Sequence, residues 1–301
     1  MRTDLVARNS AAPTATSRHL SALSSPAMRA RIELTHRLRD ARIWQILSLS
    51  LLLAFGMVQL GFDQKPAAIP LIFAGALGTQ WLMGRAFGLP CFDPLSPLIT
   101  ALSLSILLRA DEPVVLGLAG SAAIASKFLI RLDGKHVFNP ANFAIAGLLL
   151  ATDTVWISPA QWGSRTWAAF LFASLAILVL SRARRADIAL AFLAAYIALL
   201  FARALWLGDP LAIPLKQMQS GAILLFAFFM ISDPKTTPDR RGLRVLFAVL
   251  VAATAHVLQF QFWNPNGLMV ALFFLSPLVP LLDRWQPITR TDRFQWAHPT
   301  I

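Results

Sequence analysis

Residues 43–62 read IWQILSLSLLLAFGMVQLGF, a run of 20 residues without a charge. An α-helix that spans a bilayer needs roughly 20 apolar residues of this kind. The rest of the chain has the same character, since 56% of its 301 residues are hydrophobic and only 14% are charged. A soluble domain could not keep that much apolar surface from water. The sequence therefore predicts an all-α polytopic membrane protein whose first partner is the lipid bilayer.

Ten apolar segments, and hence about ten transmembrane helices, are predicted along the chain. The third, fifth and eighth segments are too short to cross as plain helices, so we expect polar flanks to extend them or breaks to interrupt them. The ten segments are Ile43–Phe62, Ile69–Met83, Leu95–Leu108, Val114–Ile130, Pro140–Ala151, Thr166–Ser181, Ile188–Trp206, Ser220–Ile231, Val245–Phe262 and Gly267–Leu282.

The lysine and arginine residues indicate how these segments are oriented. If the N-terminus is cytoplasmic and ten spans alternate, 22 of the 27 basic residues lie on the cytoplasmic side and 5 lie outside. This asymmetry follows the positive-inside rule. We therefore expect both termini in the cytoplasm and the chain in the bacterial cytoplasmic (inner) membrane. The net charge of +12 then reflects orientation, and we expect no nucleic acid as a partner.

Proline-linked landmarks recur at a nearly constant offset. Asn139-Pro140 opens the fifth segment and Asn264-Pro265 the tenth, 125 residues later, and the prolines after the third and eighth segments are 121 residues apart. A repeat of five spans must be inverted, because five is an odd number. The expected organisation is a basic cytoplasmic tail with an interfacial helix (1–42), a first five-helix repeat (43–152), a connecting loop (153–165), a second five-helix repeat (166–284) and a cytoplasmic tail (285–301). For residues 1–42 a mitochondrial presequence is the alternative.

The loop before the fifth segment carries the main candidate site. Asn139 suits the N-cap of a helix and Pro140 its first turn, and the free N–H groups of that turn lie beside Lys135 and His136. Such a helix start suits an anion, for example a phosphate; the alternative is a capped helix with solvated charges. We expect the polar segment after the eighth span to face this loop. The candidate cofactor-binding residues are Lys135, His136, Asn139, Asp233, Thr236 and Asn264.

Other chemistries find no support in the sequence. No Ser/His/Asp grouping, phosphate-binding glycine loop or metal-ligand spacing is present, so no catalytic residue of a hydrolase or kinase and no metal site is expected. His256 is the only histidine within an apolar segment, which argues against a haem held between two histidines of this chain. The single cysteine, Cys91, excludes an internal disulfide.

Three blocks of sequence resemble one family in order and spacing. They are SPLITALSL at 96–104, GKHVFNPA at 134–141, and SGA at 220–222 followed by FFMISDP at 228–234. The family contains the B subunit of the sodium-translocating NADH:quinone oxidoreductase and the D subunit of the Rnf electron-transport complex. The resemblance covers roughly residues 43–284. It implies a 5+5 inverted repeat in a membrane complex with other redox subunits, where flavin-linked electron transfer is coupled to ion transport.

The resemblance also raises the question of how a flavin is held. In the family, the phosphate of an FMN is bound covalently to a threonine of a Ser-Gly-Ala-Thr-like motif before the eighth span. Here the loop 206–214 contains no serine or threonine, and Ser220-Gly221-Ala222 is followed by Ile223. We therefore expect a stand-alone homologue with non-covalent FMN or riboflavin near the inner loops. The alternatives are a small-solute or flavin transporter and a membrane scaffold without chemistry.

Overall fold

The computed structural model describes residues 40–59, 61–158, 186–218 and 220–285, most of which are helical. These ranges also contain four short strands: β1 Leu108–Ala110, β2 Arg131–Leu132, β3 Lys135–His136 and β4 Val155–Ile157. The helices are α1 Ala41–Gln59, α2 Ala68–Ala86, α3 Leu95–Leu107, α4 Pro113–Leu129, α5 Pro140–Ala151, α6 Ala186–Leu207, α7 Ala212–Met218, α8 Gly221–Leu225, α9 Arg241–Phe260, α10 Gly267–Leu275 and α11 Leu278–Trp285.

Nine of the ten predicted apolar segments fall on helices, and the sixth, Thr166–Ser181, lies outside the described residues. Among the described helices α1, α6 and α9 are long and apolar enough to cross a membrane, and the bent pairs α7–α8 and α10–α11 raise that number to as many as five. The helical membrane class is thus confirmed, whereas ten spans, the inverted repeat and the orientation stay predictions. The purely α class needs a small correction, because the strands form two two-stranded antiparallel sheets.

Helices α2 and α4 pack with their backbones in close approach. A Cβ atom at Gly75 would lie 2.2 Å from the carbonyl oxygen of Gly117, and one at Gly120 would lie 2.5 Å from that of Ile72. Small residues at such an interface are typical of helix pairs in membranes, where close packing replaces the hydrophobic effect as the driving force. This contact fixes α2, and with it the face of α2 that lines the site described below.

The short third segment is continued by a strand and not by a longer helix. Helix α3 ends at Leu107 and continues as β1, which pairs with β4. The side chain of Gln64 donates hydrogen bonds to the carbonyl oxygens of Ser105 (2.6 Å) and Leu108 (3.3 Å). These bonds satisfy backbone acceptors that the end of a helix leaves free. The loop around Gln64, the end of α3 and strand β4, all near positions predicted to lie on the outer side, are therefore joined to one another.

The eighth segment is interrupted by a π-helical turn. After α8 the chain forms five π-helical residues, Phe226–Met230, and the hydroxyl of Ser232 then donates to the carbonyl oxygen of Phe228 at 2.6 Å. Pro234 cannot continue the helix, because proline disfavours the helical conformation of the residue before it. Single π-helical turns inside helices occur frequently at functional sites. Here the turn brings Phe228 and Phe229 to the wall of a cavity.

Candidate functional site

A cavity of about 260 Å³ opens where α1, α2, α3, α4, α5 and the π-helical turn meet. Its walls combine apolar side chains with an excess of basic ones. Two carboxylates, Asp93 and Asp233, also line it. The basic residues that line it, apart from histidine, are Arg42, Lys127, Arg131 and Lys235.

A tight hairpin positions the predicted loop at this cavity. Asp133 and Gly134 have positive φ values of 52° and 82° and join β2 to β3. An Asp-Gly pair is favoured in two-residue hairpins because the turn that matches the strand twist needs positive φ at both positions. Side chains alternate between the two faces of a strand. In β3, Lys135 and His136 therefore point in different directions, although they are adjacent in sequence.

Asn139, His136 and Asp233 form the cluster at the cavity wall. Asn139 is the N-cap of α5, and its Oδ1 accepts a hydrogen bond from the backbone N–H of Asn142 at 3.1 Å. Its Nδ2 donates to Oδ2 of Asp233 at 3.3 Å, and Nε2 of His136 lies 3.6 Å from the same oxygen. His136 and Asn139 are buried. Three of the six predicted site residues thus meet across two loops.

Asp233 is held as a carboxylate by its surroundings. Burial by itself would raise the pKa of Asp233, but His136 and the backbone N–H of Lys235 lower it below its ordinary value, because they stabilise the charged form. The N–H of Lys235 donates to Oδ1 of Asp233 at 3.0 Å. The carboxylate therefore anchors the segment after the π-helical turn to the loop before α5.

The basic residues around the cavity outnumber their acidic partners. Burial lowers the pKa of Lys235, and the nearby charges of Arg131, Lys135 and Arg42 lower it further, while Asp233 opposes this change. Four lysine and arginine side chains against two carboxylates give the lining a net positive charge. This part of the cavity therefore favours a ligand with an anionic group.

A buried lysine reaches the cavity from α4. Lys127 is only 4% exposed, its Nζ donates to Oγ of Ser96 at 3.1 Å, and it lies 5.6 Å from the centre of the Phe128 ring. Nearby, Arg42 and Asp93 form an ion pair of 2.7 Å. Lysine at a helix end usually extends towards water. The sequence alone therefore gives no reason to place Lys127 in a cavity wall, where the structure has it.

Gln80 is a second residue that the sequence reasoning missed. It lies in α2, is 2% exposed and lines the cavity, and its Oε1 has no hydrogen-bond partner in the described structure. A buried amide oxygen without a partner is uncommon in folded proteins. The available signal was a glutamine within the apolar segment Ile69–Met83, where polar residues mark functional positions.

Lys135 occupies a different place from the one its sequence context suggested. Its Nζ contacts Oδ1 of Asp239 at 2.6 Å and Oδ2 of Asp283 at 2.9 Å, and it donates to the carbonyl oxygen of Thr237 at 3.3 Å. Two carboxylates already neutralise this cation. It therefore ties the hairpin to α11 and to the segment before α9, in a separate hollow beside the cavity.

The two remaining candidates have structural contacts. Thr236 is buried, and its hydroxyl donates to the carbonyl oxygen of Asp233 at 3.4 Å. Asn264 lies between α9 and α10, where its Oδ1 accepts from the N–H of Asn266 at 2.9 Å; it does not line the cavity. Within the described ranges no three His, Cys, Asp or Glu side chains lie close enough together to hold a metal ion.

Comparison with known proteins supports the resemblance found in the sequence. Residues 151–291 match the NQR2, RnfD, RnfE family. The resemblance to this family is thereby confirmed. The match covers the second half of the chain, including Asp233, Thr236 and Asn264.

Individual relatives share one name and are each the D subunit of an ion-translocating oxidoreductase complex. The protein from Mannheimia succiniciproducens is 33% identical over 29% of this chain and 25% of its own length. That from Erwinia tasmaniensis is 32% identical over 35% of this chain and 30% of its own length. That from Escherichia coli O139:H28 is 29% identical over 46% of this chain and 36% of its own length. The chain thus aligns with a quarter to about a third of the length of these relatives.

Proposed function

We propose that this chain is a membrane subunit of an electron-transfer complex related to the ion-translocating oxidoreductases, and that its cavity holds a non-covalent flavin, FMN or riboflavin. The observation that carries the proposal is the cavity itself, in which the predicted His136–Asn139–Asp233 cluster, a set of basic side chains and two phenylalanines converge. The family match and the names of the relatives support the part of the proposal that concerns the complex and its coupling to ion transport.

The residues present suit a flavin on chemical grounds. Phe228 and Phe229 provide apolar aromatic surface for a flat ring system, and Lys235 and Arg131 provide positive charge for a phosphate or a polar chain. Binding pockets of this kind combine a mostly apolar lining with a few polar groups that fix orientation. A bound flavin would supply the redox chemistry; the chain's own residues would bind it, orient it and keep water away. Since loop 206–214 has no hydroxyl side chain, we propose that none of its residues attaches the flavin covalently.

The finer organisation belongs to the same proposal: about ten spans as a 5+5 inverted repeat, both termini cytoplasmic, in the bacterial inner membrane, with the domain limits given above. It is supported by the way the loops group. Loops predicted to lie inside, around Cys91, His136 and Lys235, line one cavity. Loops predicted to lie outside contact one another and not this cavity. Lys65 donates to the carbonyl oxygen of Asp111, and the N–H of Asp111 donates to the carbonyl oxygen of Thr154.

Purification in mild detergent tests the function. We expect flavin absorption bands that stay with the protein through gel filtration and are released into the supernatant on acid denaturation, because the flavin is not covalently bound. The Asn139→Ala and Asp233→Ala variants should lose flavin, whereas Asn264→Ala, outside the cavity, should keep it. A colourless protein that catalyses solute counterflow in liposomes would support the transporter alternative, and a protein with neither property would support the scaffold.

Labelling with a membrane-impermeant maleimide tests the topology. In a Cys91→Ser background, we expect Arg240→Cys to react only in inverted membrane vesicles and Phe262→Cys only in right-side-out vesicles. Reaction of both cysteines from the same side would overturn the alternating arrangement, because one span separates the two positions in the proposal.

A further inference from the structure

Gln80 stands out among the cavity residues because its side chain is buried and incompletely bonded. It is 2% exposed, and its Oε1 accepts no hydrogen bond within the described structure. The hydroxyl of Thr100, which lines the same cavity, already donates to the carbonyl oxygen of Ser96 at 3.1 Å. An acceptor that is buried without a partner carries its full desolvation cost. Because Gln80 lines the cavity, a rotation of its carboxamide would let a ligand there supply the missing donor.

The chemistry of the glutamine side chain indicates what kind of donor would fit. A carboxamide places an acceptor oxygen and a donor NH₂ group side by side. The complementary partner is a ring edge in which an N–H group lies next to a carbonyl oxygen, as in a cyclic imide. The edge of a flavin ring has this pattern, with N3–H between two carbonyl groups. The basic side chains that line the same cavity suit the opposite, polar end of such a ligand.

We propose that Gln80 is the specificity-determining residue of the cavity and selects ligands whose ring carries a cyclic imide edge. The inference rests on the proposed flavin function and adds to it a residue and an orientation. The ring edge faces α2, and the polar chain extends towards Lys235 and Arg131. Gln80 acts in binding and orientation and not as a catalytic residue.

The test compares two ligands that differ only at the imide. Purified protein freed of flavin is titrated with riboflavin and with 3-methylriboflavin, in which a methyl group replaces the N3 hydrogen, and binding is followed by flavin fluorescence. The unaltered protein should bind riboflavin roughly tenfold to hundredfold more tightly, because the methylated ring cannot donate to Gln80. This comparison needs no variant, so it holds even if substitution of Gln80 impairs folding.

A matched pair of variants then tests whether Gln80 causes the preference for riboflavin over 3-methylriboflavin. Gln80→Leu should weaken riboflavin binding by the same factor and abolish the preference over 3-methylriboflavin. Gln45→Leu, which alters another glutamine that lines the cavity, should leave the preference unchanged. Equal affinities of the unaltered protein for both ligands, or a preference that survives in Gln80→Leu, would overturn the role of Gln80 while leaving the flavin proposal intact. Failure of the unaltered protein to bind either ligand would overturn both.

Discussion

The two Asn-Pro loops of this protein, before α5 and before α10, share a sequence pattern but differ in the range of their contacts. In the first loop, Asn139 bonds to Asp233, 94 residues away, and Lys135 bonds to Asp283, 148 residues away. In the second loop, Asn264 bonds to Asn266, and the N–H of Gly267 donates back to Asn264 at 3.1 Å. One loop connects distant parts of the chain, while the other closes on itself.

This difference teaches that a recurrent sequence motif does not by itself specify a role. Helix α5 starts at Pro140 with Asn139 as its N-cap, whereas α10 starts at Gly267, two residues after Pro265, with Asn266 as its N-cap. Only the first loop follows a hairpin that directs its side chains to other elements. The second contains Trp263 at a positive φ of 55°, which turns the chain sharply between two helices. The predictions below test whether long-range contacts separate the two loops as sharply as the geometry indicates.

The largest effect on stability is expected for Lys135→Ala. Removal of this cation leaves Asp239 and Asp283 facing each other, with side chains that are 5% and 13% exposed. We expect a loss of about 3 kcal/mol in the free energy of unfolding, since two largely buried carboxylates then repel each other without the cation between them. Denaturant titration in detergent micelles measures it. The control Lys216→Ala, at an exposed lysine, should cost less than about 0.5 kcal/mol. Equal losses in both variants would contradict the role of Lys135 in tying the hairpin to α11.

A smaller loss, about 2 kcal/mol, is expected for Asn139→Ala, which removes the N-cap of α5 together with the bond to Asp233. The same titration measures it, and Asn139→Ser separates the two contributions. Serine can cap the helix but is too short to reach Asp233, so it should recover only part of the loss. Full recovery by serine would mean that the contact with Asp233 contributes nothing.

Stability should depend on pH through Asp233. Because the pKa of Asp233 is lower in the folded than in the unfolded protein, its contribution is fully present above the ordinary value of 3.8 and is lost as the pH falls through the folded pKa. Thermal unfolding followed from pH 7 to pH 3 should therefore show a decline in Tm at the acidic end that is weaker in Asp233→Asn. Parallel curves for the two proteins would refute this assignment.

The smallest effect is expected for Asn264→Ala. This substitution removes one turn hydrogen bond at a partly exposed position, so the free energy of unfolding should fall by only about 0.5 to 1 kcal/mol. A loss as large as that of Asn139→Ala would erase the distinction between the two loops and would restore the sequence prediction that groups Asn264 with the site.

Part of the site was predictable because its signals are local. The N-cap at Asn139 follows from the residue types at 139 and 140, and the contact of its loop with the segment after the eighth span agrees with the expectation from the sequence. The Asp133-Gly134 pair is a sequence signal for a two-residue hairpin, and the strand geometry of this hairpin explains why the side chains of Lys135 and His136 point apart. Gln80 and Lys127 could not be assigned to a cavity wall, because a single polar residue in an apolar helix does not reveal which neighbour it faces.

The sequence by itself determined where the helices lie, since the length and apolarity of each segment decide locally whether it is helical in or near a membrane. It also determined the start of α5 and the end of the eighth segment, because proline and asparagine act on adjacent backbone. Only the tertiary structure decided which polar groups meet. The pairing of Lys135 with two carboxylates and the position of Asn264 outside the cavity depend on packing between residues far apart in the chain, and no local pattern encodes that packing.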